Sequence, residues 1–244
     1  MTYCIGMSLQ DGLVLVSDTR TNAGIDNIAR FEKMRVFEKR GERVLVTLSA
    51  GNLSVTQNAL SLLDMRHGQD GPGDTLWNAA SMNDAARMLG EAMREVRQRD
   101  EKFLREKNID PSATFILGGQ IVGDAPRLFL VYSEGNYIEA QPDTPYFQIG
   151  ELKYGKPILD RILAPQSSLD DGLKCALISF DATIRSNLSV GAPLDVLVYR
   201  RDSLAVDERY RLEQDDPYMT RIFDDWDRGL RNLFHLLPAK ESDG

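Results

Sequence analysis

Short strands and pairs of helices alternate along this 244-residue chain, and that order restricts its possible folds most. Two hairpins come first, followed by two helices, four strands, two more helices, a last hairpin and a terminal helix. A parallel doubly wound sheet needs a helix after nearly every strand, and the chain lacks that rhythm. We therefore expect an α+β fold in which two antiparallel sheets face each other and paired helices cover both outer faces. No linker-like segment divides residues 1–244, which predicts one domain.

Local signals place the individual elements. Apolar runs bounded by turn residues predict strands at residues 2–9, 13–19, 34–38, 43–48, 113–121, 127–132, 137–140, 146–149, 195–200 and 205–212. Ser81-x-x-Asp84 and Ser168-x-x-Asp171 resemble capping boxes at helix starts. After the first of these, apolar residues spaced by four and three predict one buried helix face, made of Met82, Ala86, Leu89, Met93, Val96 and Phe103.

Composition excludes several classes of function. The net charge is −8 and no basic run stands out, so nucleic acid and anionic membranes are not expected as partners. No segment is long and apolar enough to span a membrane, and no signal peptide is evident, which favours the cytoplasm. The only cysteines, Cys4 and Cys175, are expected in the core, and neither they nor His67 and His235 form a metal-binding pattern. We expect no metal or cofactor.

Thr2 opens the first strand directly after Met1. A residue this small permits removal of the initiator methionine, which would leave a hydroxyl and a free α-amine on one residue held by a sheet. That pair is the amino-terminal form of the nucleophile-and-base arrangement. Most proteins with threonine in second position make no use of it, so Thr2 alone carries little weight.

Other residues strengthen this hypothesis. Asp18 ends the return strand of the first hairpin, and Lys33 directly precedes the second, so both can lie near Thr2. An ammonium there favours the neutral α-amine and a developing alkoxide, while a carboxylate holds the ammonium in place. Ser49 and Gly51, where a strand ends and a helix begins, are alternative donors of backbone N–H groups to an oxyanion. Taken singly, a turn carboxylate and a surface lysine are the simpler interpretations.

These residues resemble a known family. Thr2, S-D-T-R around Asp18, Lys33 before M-R-V-F, and S-A-G are similar to the proteasome β-subunit and to its bacterial relative, the HslV peptidase. Over nearly the whole chain the sequence resembles the bacterial proteasome-related family Anbu. The strings that carry this resemblance are M-T-Y-C, V-S-D-T-R-T-N-A-G-I-D-N-I, S-A-G-N-L, A-T-F-I-L-G-G-Q-I, Q-I-G-E-L-K-Y-G-K-P-I-L-D-R and R-S-N-L-S-V-G-A-P-L.

The resemblance implies a four-layer αββα amino-terminal-nucleophile hydrolase that assembles into rings or open helical turns. It implies that Thr2 is nucleophile and base and that Asp18 and Lys33 activate it. Asp181 would be the carboxylate that supports the nucleophile, with Ser186 as a neighbouring polar group. Glu151 stands where proteasome subunits carry a serine that contacts the α-amine, and a carboxylate can accept the same hydrogen bond.

Three functions follow as hypotheses. The leading one is a threonine peptidase that cleaves peptides or unfolded polypeptide inside its own assembly. The second is an amidohydrolase for a small non-protein amide, and the third is a ring-forming scaffold whose threonine stays masked. The sequence identifies no ATPase partner. We also expect that Lys33→Ala and Asp18→Ala abolish turnover and leave the fold and the assembly intact.

The carboxyl-terminal stretch from about residue 215 adds an expectation about assembly. Near-helical spacing brings apolar residues into one stripe, formed by Trp226, Leu230, Leu233, Phe234 and Leu237. The stripe either docks back on its own domain or contacts a neighbouring subunit. Because repeated head-to-tail contacts close into rings or continue as helices, we expect a large homo-oligomer with an interface in this stretch.

Overall fold

The computed structural model describes residues 2–22, 28–67 and 75–240. In these ranges the strands are β1 Tyr3–Leu9, β2 Gly12–Asp18, β3 Arg20–Asn22, β4 Ile28–Arg30, β5 Met34–Lys39, β6 Arg43–Gly51, β7 Ala113–Ile121, β8 Arg127–Val131, β9 Tyr137–Glu139, β10 Tyr146–Gly150, β11 Leu194–Arg200 and β12 Glu208–Leu212. The helices are α1 Leu53–His67, α2 Met82–Glu106, α3 Lys156–Ile162, α4 Leu169–Ser186 and α5 Pro217–Leu236. The sequence predicted all of these except β3 and β4, a short hairpin within a polar connection.

Two five-stranded sheets form the centre of the fold. Their strand orders are β10-β1-β2-β11-β12 and β5-β6-β7-β8-β9, with every pairing antiparallel. In the first sheet β1 lies between β2 and β10, so that Cys4 is opposite Ser17 on one side and Ile149 on the other. The start of β1, next to Thr2, is therefore flanked by the carboxyl ends of both neighbours.

Three apolar layers hold the elements together. Helices α1 and α2 pack on the β5–β9 sheet, where Leu89 and Phe115 share a cluster, and α3 and α4 pack on the other sheet, where Phe180 and Val16 do. A third cluster lies between the two sheets. Burial of these faces removes apolar surface from water, which stabilises the fold by roughly 25 cal/mol per Å² of apolar surface buried. The predicted four-layer αββα architecture is confirmed.

Helix caps and cysteines agree with the predictions, and one apolar position does not. The Ser81 and Ser168 hydroxyls each accept the backbone N–H three residues ahead, at 3.1 Å, and both cysteines are buried. Phe103, however, is 65% exposed. No residue of α2 after Val96 is buried, because the last turns of the helix extend past the apolar layer.

Helix α5 packs on its own domain only at its start. Met219 is buried, and Ile222 and Phe223 contact the cluster beneath α4. Further along the predicted stripe, Phe234 is 71% exposed and Leu237 is 60% exposed. The second half of α5 therefore does not dock back. No helix in the described ranges is long and apolar enough to cross a membrane.

Candidate active site

A buried ion pair lies beside the start of β1. Asp18 ends β2 and Lys33 directly precedes β5, and Lys33 Nζ donates to Asp18 Oδ1 at 2.6 Å. The side chains are 0% and 5% exposed. The same Asp18 oxygen accepts the Tyr3 N–H at 3.0 Å. One carboxylate thus connects the cation to the residue that follows Thr2.

Backbone contacts fix the position of Lys33 at both ends. Its ammonium donates to the carbonyl of Arg20 at 2.6 Å, and its own carbonyl accepts the backbone N–H of Ser49 at 3.0 Å. Burial raises the pKa of Asp18, whereas the Lys33 ammonium and the Tyr3 N–H act in the opposite direction. The arrangement holds a cation rigidly in a site with little solvent.

Thr2 is anchored from the other side, by the end of β10. Its carbonyl accepts the backbone N–H of Glu151 at 2.7 Å. Gly150, with φ +88°, permits this approach, because a Cβ on that residue would lie 2.0 Å from the Thr2 oxygen. Met1, whose removal the sequence predicts, lies outside the described residues.

The buried side chain of Glu151 links this corner to the end of α4. Its carboxylate accepts the Lys153 N–H at 3.2 Å and the amide of Asn187 at 3.0 Å. Asn187 caps the carboxyl end of α4, and its side-chain oxygen accepts the Ser189 N–H at 3.0 Å. Sequence reasoning missed Asn187. The only available signal was a polar residue at a helix end, which favours a cap in any protein.

The two alternative oxyanion donors differ in the structure. The Ser49 N–H is already used, because it donates to Lys33. The Asn52 N–H points the other way, to the Ser112 carbonyl beside β7, at 2.8 Å. N–H groups of successive strand residues point to opposite edges. The Gly51 N–H, one residue before that of Asn52, is therefore on the edge that faces β5, as is the N–H of Ser49. There it lies beyond the last pair of the β5–β6 ladder, in which Met34 is opposite Leu48.

Asp181 and Ser186 stand apart from this group. Asp181 Oδ1 accepts a hydrogen bond from Arg185 at 2.8 Å, one helical turn along α4, and Arg185 also pairs with Asp227 of α5 at 3.1 Å. Burial raises the pKa of Asp181, and Arg185 opposes that effect. Ser186 is exposed. Within the described ranges neither residue forms a hydrogen bond or ion pair with Thr2, Asp18, Lys33 or Glu151.

Two cavities flank the site. One, of about 400 Å³, is lined on the β5 side by residues that include Glu32, Lys33, Arg35, Ser49, Leu53 and Gln57. The other, of about 370 Å³, is lined on the β10 side by residues that include Gly51, Ala113, Leu130, Tyr132, Gly150 and Leu152. The described residues contain no group of three or more His, Cys, Asp or Glu side chains placed to hold a metal ion.

The arrangement can activate a nucleophile at the start of β1. A buried ammonium lowers the cost of negative charge and of a neutral amine nearby, and strand alternation turns the Gly51 N–H to the same side. A cavity on each side provides room for the two halves of a substrate.

Comparisons with known proteins identify the family of the chain. No protein-family model and no curated protein matches the sequence. Among solved structures, Anbu (ancestral beta-subunit) from Yersinia bercovieri is 49% identical, with a TM-score of 0.92 over 98% of this chain and 99% of that one. The helical assembly of the Anbu complex from Pseudomonas aeruginosa is 51% identical, with a TM-score of 0.93 over 98% of each chain.

Anbu from Hyphomicrobium sp. strain MC1 is 45% identical, with a TM-score of 0.91 over 98% of this chain and 100% of that one. Each of these matches covers nearly the whole of both chains. The chain therefore belongs to the Anbu family of proteasome-like ancestral β-subunits.

Proposed function

We propose that this protein is a proteasome-type threonine peptidase that uses Thr2 as its amino-terminal residue once Met1 is removed. One observation carries the proposal. The carboxylate of Asp18 binds both the Lys33 ammonium, at 2.6 Å, and the Tyr3 N–H, at 3.0 Å. A buried cation is thereby held next to the residue whose hydroxyl and amine would react.

The chemistry starts at the α-amine of Thr2, which acts as general base. It takes the hydroxyl proton as Thr2 Oγ attacks the carbonyl carbon of the scissile amide, and Lys33 stabilises the developing negative charge. The Gly51 N–H donates to the oxyanion. When the adduct collapses, the C–N bond breaks and the α-ammonium gives its proton to the leaving amine. Water then attacks the Thr2 ester by the same route, which releases the acid and restores the hydroxyl.

Glu151 is proposed to hold the α-amine. In an antiparallel pair, the N–H and C=O of one residue point to the same neighbour. The Thr2 carbonyl points to Glu151, so its nitrogen faces that side as well. The carboxylate accepts two hydrogen bonds, from Lys153 and Asn187, and an ionised carboxylate has capacity for more.

Intact mass and covalent labelling test the proposal together. A peptide epoxyketone closes a ring only with a hydroxyl and a free α-amine on the same residue. We expect the active protein to lack Met1 and to gain one epoxyketone per chain at Thr2. Thr2→Ala is the matched control and should gain none. Active protein that retains Met1 would contradict the mechanism, and a lack of labelling despite Met1 removal would favour the scaffold.

The proposal includes assembly of identical subunits. The Pseudomonas aeruginosa relative is described as a helical assembly, and this chain leaves the second half of α5 apolar and exposed. We propose that α5 contacts a neighbouring subunit. Light scattering should give a mass many times 27.4 kDa, and deletion from Asp215 should lower it. A monomer at micromolar concentration would contradict this and the enclosed chamber that it implies.

A further inference from the structure

We propose that the cavity beside Gly51 and Gly150 binds the residue on the amine side of the scissile bond, and that it selects an apolar side chain there. This cavity has a volume of about 370 Å³ and is called the leaving-group cavity below. The inference rests on the proposed function, because it assigns a substrate preference to the same reaction centre.

The direction of the substrate follows from the position of the Thr2 nitrogen. Thr2 presents its carbonyl to Glu151, at the end of β10, so its nitrogen faces β10 too. The amine of Thr2 must give its proton to the departing nitrogen. The departing half of the substrate therefore lies on the β10 side, where Gly150 and Leu152 form one wall of the leaving-group cavity.

The other cavity lies on the opposite side of the reaction centre. It is lined by Lys33 and Ser49, and strand alternation turns the Gly51 N–H towards this β5 side. The oxyanion and the acyl half of the substrate thus belong there. The two cavities receive opposite halves of a substrate that passes over Gly51.

The chemistry of the leaving-group cavity favours an apolar occupant. Its wall includes the side chains of Ala113, Leu130, Tyr132, Ile149 and Leu152, while Gly51 and Gly150 present bare backbone. Three of the polar side chains in the lining, those of Asp110, Ser112 and Gln148, are engaged with protein partners. Asp110 Oδ1 accepts both the N–H and the hydroxyl of Ser112, at 2.9 and 2.6 Å, and Gln148 donates to the Tyr3 hydroxyl.

Charge at the rim disfavours an acidic occupant. The hydrogen bonds from Ser112 lower the pKa of Asp110, which stays ionised near neutral pH. A carboxylate in the cavity would face this like charge. We expect the cavity to accept leucine best, glycine less well and aspartate least.

Transfer of one acyl group to different amines tests this inference. Thr2 Oγ attacks a peptide thioester, the C–S bond breaks, and the thiol leaves with the hydroxyl proton. An added amino-acid amide then attacks the Thr2 ester carbonyl. The C–O bond breaks, a new amide forms, and the amine proton returns to Thr2. Because the acyl half is constant, the ratio of transfer to hydrolysis reports only on the leaving-group cavity.

We expect transfer to leucinamide to exceed transfer to glycinamide by about tenfold, and transfer to aspartic acid α-amide to be slowest. Leu152 is 46% exposed, so Leu152→Asp should fold. It should bring the ratio of leucinamide transfer to glycinamide transfer close to one. Leu152→Met should keep the preference. Val122→Asp is the matched control, at a residue 57% exposed and outside the cavity, and should change nothing.

The outcomes separate this inference from the proposed function. If Thr2 is acylated but all three amides compete equally, or if Leu152→Asp leaves the ratios unchanged, the assignment of the cavity is wrong and the peptidase proposal stands. If the thioester does not acylate Thr2, both are wrong.

Discussion

Two carboxylate–cation pairs in this molecule share their chemistry and differ in their burial. Asp18 and Lys33 meet at 2.6 Å with side chains 0% and 5% exposed, whereas Asp181 and Arg185 meet at 2.8 Å with side chains 8% and 53% exposed. In the second pair only the Arg185 side is open to solvent, and screening by water there limits its contribution to about 0–1 kcal/mol. A buried pair costs desolvation to form and still more to break, since one partner left alone is a buried, uncompensated charge. Burial on both sides, rather than the presence of a pair, distinguishes the candidate site.

Breaking the buried pair should have the largest effect. Lys33→Ala should lower peptide turnover by about 10²–10⁴-fold, because the amine and the oxyanion lose their nearby cation. It should also lower the free energy of unfolding by about 3–5 kcal/mol, because Asp18 stays buried without its partner. This revises the expectation from sequence that the fold is left intact. Urea unfolding and hydrolysis of a fluorogenic peptide measure the two effects.

A double variant separates catalysis from folding. Asp18→Asn combined with Lys33→Met removes both charges at similar volume, so most of the lost stability should return while turnover stays low. The same double change at Asp181 and Arg185 is the matched control and should affect neither quantity strongly. A stable buried-pair double variant with full turnover would show that the pair has no role in the reaction.

The next effect concerns the backbone that anchors Thr2. Gly150 and Gly41 both have left-handed backbone, with φ +88° and +77°. Alanine at Gly41 meets no atom within 4 Å, so Gly41→Ala should cost only strain, of order 1–3 kcal/mol. Gly150→Ala adds a Cβ 2.0 Å from the Thr2 carbonyl, and should therefore be less stable and displace Thr2. Thermal unfolding and turnover of the two variants give the comparison. Equal losses would contradict this account of Gly150.

A smaller effect should appear on the acidic side of the pH profile. Since burial raises the pKa of Asp18, this carboxylate takes up a proton at a higher pH than an exposed aspartate, whose pKa is about 3.9. Turnover declines first as the Thr2 α-amine, the general base, takes up a proton, since the ordinary pKa of an α-amine is about 7.7–8.0. A second fall should follow as the pH drops through the raised pKa of Asp18. A raised folded-state pKa contributes stability that is fully present below the unfolded-state pKa and is lost as the pH rises through the folded-state pKa. Through Asp18, then, acid should remove activity without unfolding the protein.

Parallel pH titrations of turnover and of circular dichroism check this order of events. In Asp18→Asn, whose side chain does not titrate, the decline caused by the Thr2 α-amine should remain and the second fall at lower pH should be absent. Simultaneous loss of activity and structure in the wild-type protein would contradict the assignment to Asp18.

Local signals made much of the fold predictable. Ser81, Ser168 and Asp216 each cap the helix that the sequence placed after them, and the apolar runs gave the strands of both sheets. The β3–β4 hairpin was missed because its residues are polar and lack alternation. Phe103 was misplaced because helical spacing shows which face is apolar, and does not show where the covering sheet ends.

The site was predictable only as far as neighbouring strands determine it. Asp18 and Lys33 were found because a hairpin and a short connection bring them together. The choice between Ser49 and Gly51 required the register of β6 against β5, and the link from Glu151 to Asn187 joins residues 36 positions apart. Such contacts depend on how sheet and helix pack, which no local pattern contains.

The smallest predicted effect is the one that tests the half-exposed pair of Asp181 and Arg185. The resemblance gives Asp181 a role beside the nucleophile, whereas its carboxylate lies at 2.8 Å from Arg185, which also reaches Asp227 of α5. Asp181→Asn keeps a hydrogen-bond acceptor for Arg185. It removes only the negative charge, whose attraction to the half-exposed guanidinium is screened by solvent. We expect a loss of at most about 1 kcal/mol in unfolding free energy and turnover within about twofold of wild type. Asp18→Asn, assayed beside it, makes the same chemical change in the buried pair. A tenfold or greater loss of turnover in Asp181→Asn, with unchanged stability, would restore the role implied by the resemblance and show that this carboxylate acts on the nucleophile from α4.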